Sequence, residues 1–163
     1  MDNEFHYLSL YSLIQEYPLC KKKIIKSYIQ LIKQLSDTVN YDLDNFINNF
    51  IKNLNQINNY GIIYIACLNL PTSDDFIIVA SGTCFLEPKI IHNFMNVGHI
   101  EDIVVDANFR GKGIVHNILN HLKNYAVTNN CYKVILDCHQ DLVKVYSKSN
   151  YELKGVQMAI YFM

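Results

Sequence analysis

The stretch VGHIEDIVVDANFRGKGI, residues 97–114, constrains the fold more than any other part of the chain. Ile100, Ile103, Val104 and Val105 make its first half apolar enough for a largely buried, central strand. Two carboxylates, Glu101 and Asp102, interrupt that strand. Burying a carboxylate costs free energy unless something pairs with it. The two acids therefore either turn to solvent at a strand end or face a cleft where they can bind a polar or cationic group and accept a proton. A short turn follows, then Arg110-Gly111-Lys112-Gly113, and a helical pattern begins at once.

A loop of this kind opening a helix suits an anion. The first N–H groups of a helix have no internal acceptor, and the helix dipole favours negative charge there. Gly111 and Gly113 let backbone approach a ligand, and Arg110 and Lys112 add charge. A plain tight turn is the other reading of the same residues. The loop is not a Walker A motif, because Gly113 is followed by Ile114 rather than by Lys-Ser or Lys-Thr. It is not a Rossmann fingerprint either, since the segments before it read as a series of hairpins rather than a βαβ unit.

The surrounding pattern predicts a mixed α/β domain built on one sheet and spanning residues 1–163. Residues 5–13 read as a first strand. Residues 21–35 read as a helix with Ile24, Ile25, Tyr28, Leu31, Ile32 and Leu35 on one face, and Lys21–Lys23 form its solvated start. A second helix covers 41–54, burying Leu43, Phe46, Ile47, Phe50 and Ile51. The period then changes. Residues 60–70 and 76–86 make a hairpin about the Pro-Thr-Ser-Asp-Asp turn, and 97–106 is a third strand. A helix follows over 113–127, with Ile114, Ile118, Leu122 and Tyr125 about one turn apart. Residues 132–138 form a strand, 141–149 a short helix, and the tail from Tyr151 returns as one or two strands.

Composition narrows the class. Half of the 163 residues are hydrophobic, 18% are charged and the net charge is −1, so a folded globular chain is expected and neither nucleic acid nor an anionic membrane is the expected partner. No apolar run approaches the roughly 20 residues of a membrane span, and the N-terminus lacks the pattern of a secretory leader. Five cysteines without C-x-x-C spacing argue against a zinc site or a disulfide framework and suit a reducing cytoplasm. His116 and His121, five apart, do not share a helix face, so no metal is expected. Downstream, Asp137 ends an apolar strand and Tyr146 lies on a short helix, either packed in the core or placed to donate its hydroxyl proton.

Taken together, these residues resemble the GCN5-related N-acetyltransferase (GNAT) superfamily. The loop Arg110-Gly111-Lys112-Gly113-Ile114-Val115 matches its R/Q-x-x-G-x-G/A pyrophosphate motif at Arg110 and Gly113, with Val115 at the last small position. Tyr146 matches the tyrosine beside the coenzyme sulfur, while Leu142 stands where an asparagine is common. Within the superfamily, KIIH (89–92), GHIEDIVVD (98–106) and CYKVILDC (131–138) look like the glucosamine 6-phosphate N-acetyltransferase family, over roughly residues 76–158. A basic residue is absent after Lys154, where that family often has an arginine.

The resemblance implies a GNAT fold, with a mostly antiparallel central sheet splayed between strands 4 and 5 and flanked by helices. It implies direct acetyl transfer from acetyl-CoA to an amino sugar phosphate in a cytoplasmic homodimer with shared active sites, with no metal. Glu101 would help deprotonate the amine, with Asp102 and Asp137 holding the sugar and Asp137 joining the catalytic set. Backbone groups of Ile103, Val104 and Val105 and the loop 110–115 would bind the coenzyme, and Tyr146 would serve the leaving thiolate. Lys89, Ile90, Ile91 and His92 would bind the sugar phosphate, Tyr132 and Lys133 would reach it from the second subunit, and Ser36 would lie near the sugar. Two other readings stay open: a GNAT enzyme for a polyamine or a protein N-terminus, and a non-catalytic acetyl-CoA binding module.

Overall fold

The structure, a computed structural model, describes residues 5–36 and 43–162. Its elements are β1 (Phe5–Ser9), α1 (Leu10–Glu16), α2 (Lys21–Ile32), α3 (Leu43–Tyr60), β2 (Gly61–Leu68), β3 (Ile77–Pro88), β4 (Asn96–Val105), α4 (Ile114–Thr128), β5 (Cys131–Leu136) and α5 (Val143–Ser147). The five strands form one sheet in the order β1-β2-β3-β4-β5. Every pairing is antiparallel except β4 with β5, which is parallel. The mixed sheet expected from the sequence is therefore present.

Apolar clusters cover both faces of the sheet. On one face α1, α2 and α3 place Leu10, Leu13, Ile24, Ile25, Leu31, Ile47 and Leu54 against Ile65, Ile78 and Val104. On the other, α4 places Ile118, Leu119, Leu122 and Ala126 against Val79, Cys84 and Ile100. The helical spacing of Ile114, Ile118 and Leu122 is what puts them on one buried stripe.

Four expectations change. The first strand stops at Ser9, because the Ser9 hydroxyl accepts the Ser12 N–H at 2.9 Å and starts α1. Leu10, Leu13 and Ile14 then bury one helical face, which a strand could not do. The first long helix ends at Ile32 rather than Leu35. Its successor runs on to Tyr60; Ile47 is buried and Phe50 and Ile51 pack on the core, whereas Tyr41, Asp42 and the side chains of Leu43 and Phe46 lie outside the described residues. The tail is the largest correction. Residues 151–162 form no strand, and Leu153, Val156, Met158, Ile160, Tyr161 and Phe162 are exposed. A strand needs a partner for its N–H and C=O groups, and the tail pairs with neither edge strand of the sheet, β1 or β5.

Two irregularities of β4 shape the rest. First, β5 pairs only with Asn96–Ile100, the last partners being Ile100 and Leu136, so residues 101–105 continue without β5 beside them. This is the splay. Second, the β3–β4 register skips: Thr83 faces Glu101 but Ser81 faces Val104, leaving Asp102 and Ile103 in a bulge. Asp102 takes a left-handed φ of 53° there. Gly82 lies opposite, and a Cβ on it would fall 2.4 Å from Ile103 Cδ1. A larger residue at 82 would have to push the bulged side chain aside.

Candidate active site

The open side of β4 is flanked by acids. Residues opposite each other in an antiparallel pair project to the same face, so Glu101 and Val104 share a face with Thr83 and Ser81. That is the face covered by α2, since Val104 packs in its cluster. Thr83 and Ser81 are buried beneath the exposed Glu101 carboxylate. Asp137 follows the end of β5, next to the Ile100–Leu136 pair, close enough for its charge to act on Glu101. Glu101 is held above the usual carboxylate range, first by partial burial, then by the charges of Asp102 and Asp137, with His99 opposing. Asp137 also accepts a hydrogen bond from Gln157 Nε2 of the tail at 2.8 Å.

Beyond Val105 the chain enters the glycine loop. Asp106 is a short cap, accepting the Asn108 N–H at 2.9 Å. Arg110 Nε donates back to the Val105 carbonyl at 3.1 Å, and Lys112 Nζ stands 5.1 Å over the Phe109 ring. Gly111 and Gly113 have φ of 79° and 75°, and a Cβ built on either meets nothing within 4 Å. The loop is thus left-handed twice and open on that side at the N-terminus of the fifteen-residue α4. This arrangement fits a pyrophosphate held by backbone N–H groups. Val104 and Ile114 are buried side chains, so they can meet a ligand only through backbone.

Tyr146 lies on α5 and is 8% exposed, packed edge-on to Tyr151 with ring centroids 6.2 Å apart. Burial raises its phenol above the usual value, as does the neighbouring Cys138, so it stays protonated near neutral pH. Burial also pushes the Cys84 and Cys67 thiols up to about 12 and about 11, so these two are inert core residues. All five cysteines are unpaired, and Cys138 alone is exposed. Among the described residues, no three His, Cys, Asp or Glu side chains are grouped to hold a metal ion.

The remaining expected residues gather elsewhere. Lys89, Ile90, Ile91 and His92 occupy the β3–β4 turn, and Tyr132 and Lys133 open β5 beside it. His92 stacks on Tyr132 at 4.1 Å, and Lys133 Nζ lies 5.5 Å from the same ring. Lys89 pairs with Glu87, which also holds His99 Nε2 at 2.7 Å. Ile90 and Ile91 are exposed. Asn96 to Glu101 is five steps along a strand, roughly 16 Å at about 3.3 Å per residue. Within one chain, this cluster therefore stands at the start of β4 and the carboxylates from its middle onward.

Residues not anticipated from the sequence include Gly82, Glu87, His99, Gln34 and Asp106. Gly82 had a signal, because an isolated glycine inside a strand pattern marks a bulge or a close approach. Gln34 and Asp106 had none, for their contact spans 72 residues.

The comparisons agree with this geometry. The model of the acetyltransferase (GNAT) family matches residues 34–151. Glucosamine 6-phosphate N-acetyltransferase 1 of Dictyostelium discoideum is 39% identical over 136 residues, covering 83% of each chain. The Arabidopsis thaliana glucosamine 6-phosphate N-acetyltransferase is 34% identical over 137 residues, 84% of this chain and 89% of that one. The crystal structure of glucosamine-6-phosphate N-acetyltransferase from Arabidopsis thaliana superposes with a TM-score of 0.81 at 28% identity, over 98% of this chain and 99% of that one. With the splayed sheet, the glycine loop and these relatives in view, the chain belongs to the acetyltransferase (GNAT) family and stands within it among the glucosamine 6-phosphate N-acetyltransferases.

Proposed function

We propose that the chain transfers the acetyl group of acetyl-CoA directly to the amine of glucosamine 6-phosphate, giving N-acetylglucosamine 6-phosphate for UDP-N-acetylglucosamine synthesis in the cytoplasm. The observation that carries this reading is the splay. It leaves the backbone of residues 101–105 without a β5 partner, between three carboxylates and a glycine loop that suits a pyrophosphate.

The chemistry follows from those groups. The neutral sugar amine attacks the thioester carbonyl carbon, a C–N bond forms and the C–S bond breaks. The proton lost from nitrogen goes to Glu101, directly or through a water; its raised pKa makes it a better base than an ordinary carboxylate. Those backbone N–H groups of residues 103–105 that face the open side polarise the carbonyl as negative charge grows on its oxygen. Tyr146 donates its proton to the departing thiolate. Loop residues 110–115 hold the pyrophosphate, and Asp102 and Asp137 orient the sugar, with Ser36 beside it. No cysteine serves as a nucleophile.

The phosphate side requires a second copy. Lys89, Ile90, Ile91, His92, Tyr132 and Lys133 form one unit at the far end of β4, and a homodimer carries that unit to the partner's carboxylates. Two features support this pairing: no described strand covers the outer edge of β5, and the tail beside it exposes six large apolar side chains.

The three acids would also suit a polycationic acceptor, so the test compares acceptors. Thiol release from acetyl-CoA is measured with glucosamine 6-phosphate, glucosamine and spermidine side by side. Strong release with the phosphorylated sugar alone is expected. Release with spermidine or free glucosamine, and little with the phosphate, overturns the substrate while leaving the fold in place.

A further inference from the structure

We propose that Gln34 is a positioning residue, which clamps the acceptor-side end of α2 to the start of the coenzyme loop. The inference rests on the acetyl-CoA reading above and adds a residue to it. Gln34 stands just past α2 and two residues before Ser36. Its side-chain amide is used at both ends. Nε2 donates to Asp106 Oδ2 at 2.7 Å, and Oε1 accepts the Ala107 N–H at 3.1 Å.

The residue it grips is a junction. Asp106 is 8% exposed and lies directly after β4, whose last residues offer backbone to the acetyl group. Its N–H donates to the Val79 carbonyl at 2.8 Å, and its other carboxylate oxygen accepts the Asn108 N–H at 2.9 Å. A buried carboxylate requires such partners. Four residues on, Arg110 ties back to Val105 at 3.1 Å. The turn from strand to loop is therefore held by β3, by its own cap and, from the acceptor side, by Gln34. A planar amide meets both demands at once, because one end donates to the carboxylate and the other accepts the N–H. Alanine removes both bonds. Glutamate keeps the acceptor but sets one carboxylate against another.

The polarity of the clamp can be reversed. In Gln34→Glu combined with Asp106→Asn, the new carboxylate at 34 accepts from the new amide at 106 and from the Ala107 N–H. The amide oxygen at 106 keeps the Asn108 N–H. Every hydrogen bond survives, with donor and acceptor exchanged only between the side chains of 34 and 106. We would measure acetyl-CoA affinity by calorimetry and the melting temperature for wild type, Gln34→Ala, both single exchanges and the double variant. Gln34→Glu is expected to weaken acetyl-CoA binding about tenfold, the size of one lost charged hydrogen bond, with a smaller change in kcat than in KM. The double variant is expected to return to within about threefold of wild type, as a coupled pair does. A single exchange that binds acetyl-CoA like wild type, or a double variant no better than the worse single, overturns the proposal. So does an affinity that merely follows the melting temperature across the series, which marks a structural clip. A wild-type protein that binds no acetyl-CoA overturns the underlying reading itself, which separates the two failures.

Discussion

Asp102 has φ 53° in the middle of a strand, a conformation that most residues avoid. Aspartate and asparagine tolerate it best among side chains with a Cβ. The left-handed turn keeps Glu101 and Asp102 side by side without a β5 neighbour, and their mutual repulsion is part of what raises Glu101. The consequence is a pH effect with a definite sign. Glu101 acts as a base only when deprotonated, so kcat/KM falls as pH drops through its raised pKa. Asp102→Asn keeps the backbone and removes one negative charge, so that acid limb should move to lower pH even as sugar binding weakens. A pH profile of kcat/KM checks this, and a limb that stays in place or rises would show that Glu101 is not the titrating base. The sequence displayed the pair of acids plainly. It did not display the bulge, because a register skip depends on what the partner strand offers opposite.

At the level of elements, that partner is Gly82 on β3. A Cβ there would stand 2.4 Å from Ile103 Cδ1, 2.9 Å from Ile118 Cγ2 and 3.0 Å from Leu122 Cδ1. The bulge, the strand beneath it and α4 above it are thus packed as one piece. Gly82→Ala should cost about 1–3 kcal/mol of stability through overpacking. Its larger effect should be on transfer, because Ile103 belongs to the stretch whose backbone N–H groups are assigned to the acetyl carbonyl. A displacement near 1 Å would lower kcat about a hundredfold. Thermal melting and steady-state rates on the same protein separate the two, and a folded variant with normal kcat would disconnect Ile103 from catalysis. The helices show why some elements were legible. In α4 the apolar spacing, the glycine start and the buried stripe are all local and agree. In α1 the signal was ambiguous, since Phe5-His6-Tyr7-Leu8-Ser9 alternates like a strand and the Ser9 cap switches the period within a few residues.

For the whole molecule, the unresolved demand is the distance between the phosphate-side cluster and the acids. Exchange of that cluster between two copies makes a quantitative prediction. Glu101→Gln and Lys89→Ala variants are each nearly inactive at low sugar phosphate. If Lys89 serves the partner's site, mixing them under subunit exchange gives hybrid dimers with one intact site. Random pairing makes half of the dimers hybrid, and one of two sites in each is whole, so about a quarter of wild-type activity should return. Activity that never exceeds the mean of the two variants would place Lys89 in its own chain's site. The exposed tail belongs to the same scale. Its apolar residues read as a strand because their pattern is that of a strand, yet in one chain they join neither edge of the sheet.

What the sequence determined by itself is therefore what neighbours along the chain can decide. The α4 stripe, the buried β4 segment with its two acids, the Arg110–Gly113 loop and the position of Tyr146 all follow from spacing and from the chemistry of a few adjacent residues. The tertiary structure alone decided the bulge against Gly82, the residue after which the expected splay begins, the Gln34–Asp106 clamp and the separation of Lys89, His92 and Tyr132 from Glu101 and Asp137. Each of these depends on groups tens of residues apart meeting across a sheet. Local propensity has no information about which strand end, helix end or second chain will stand opposite.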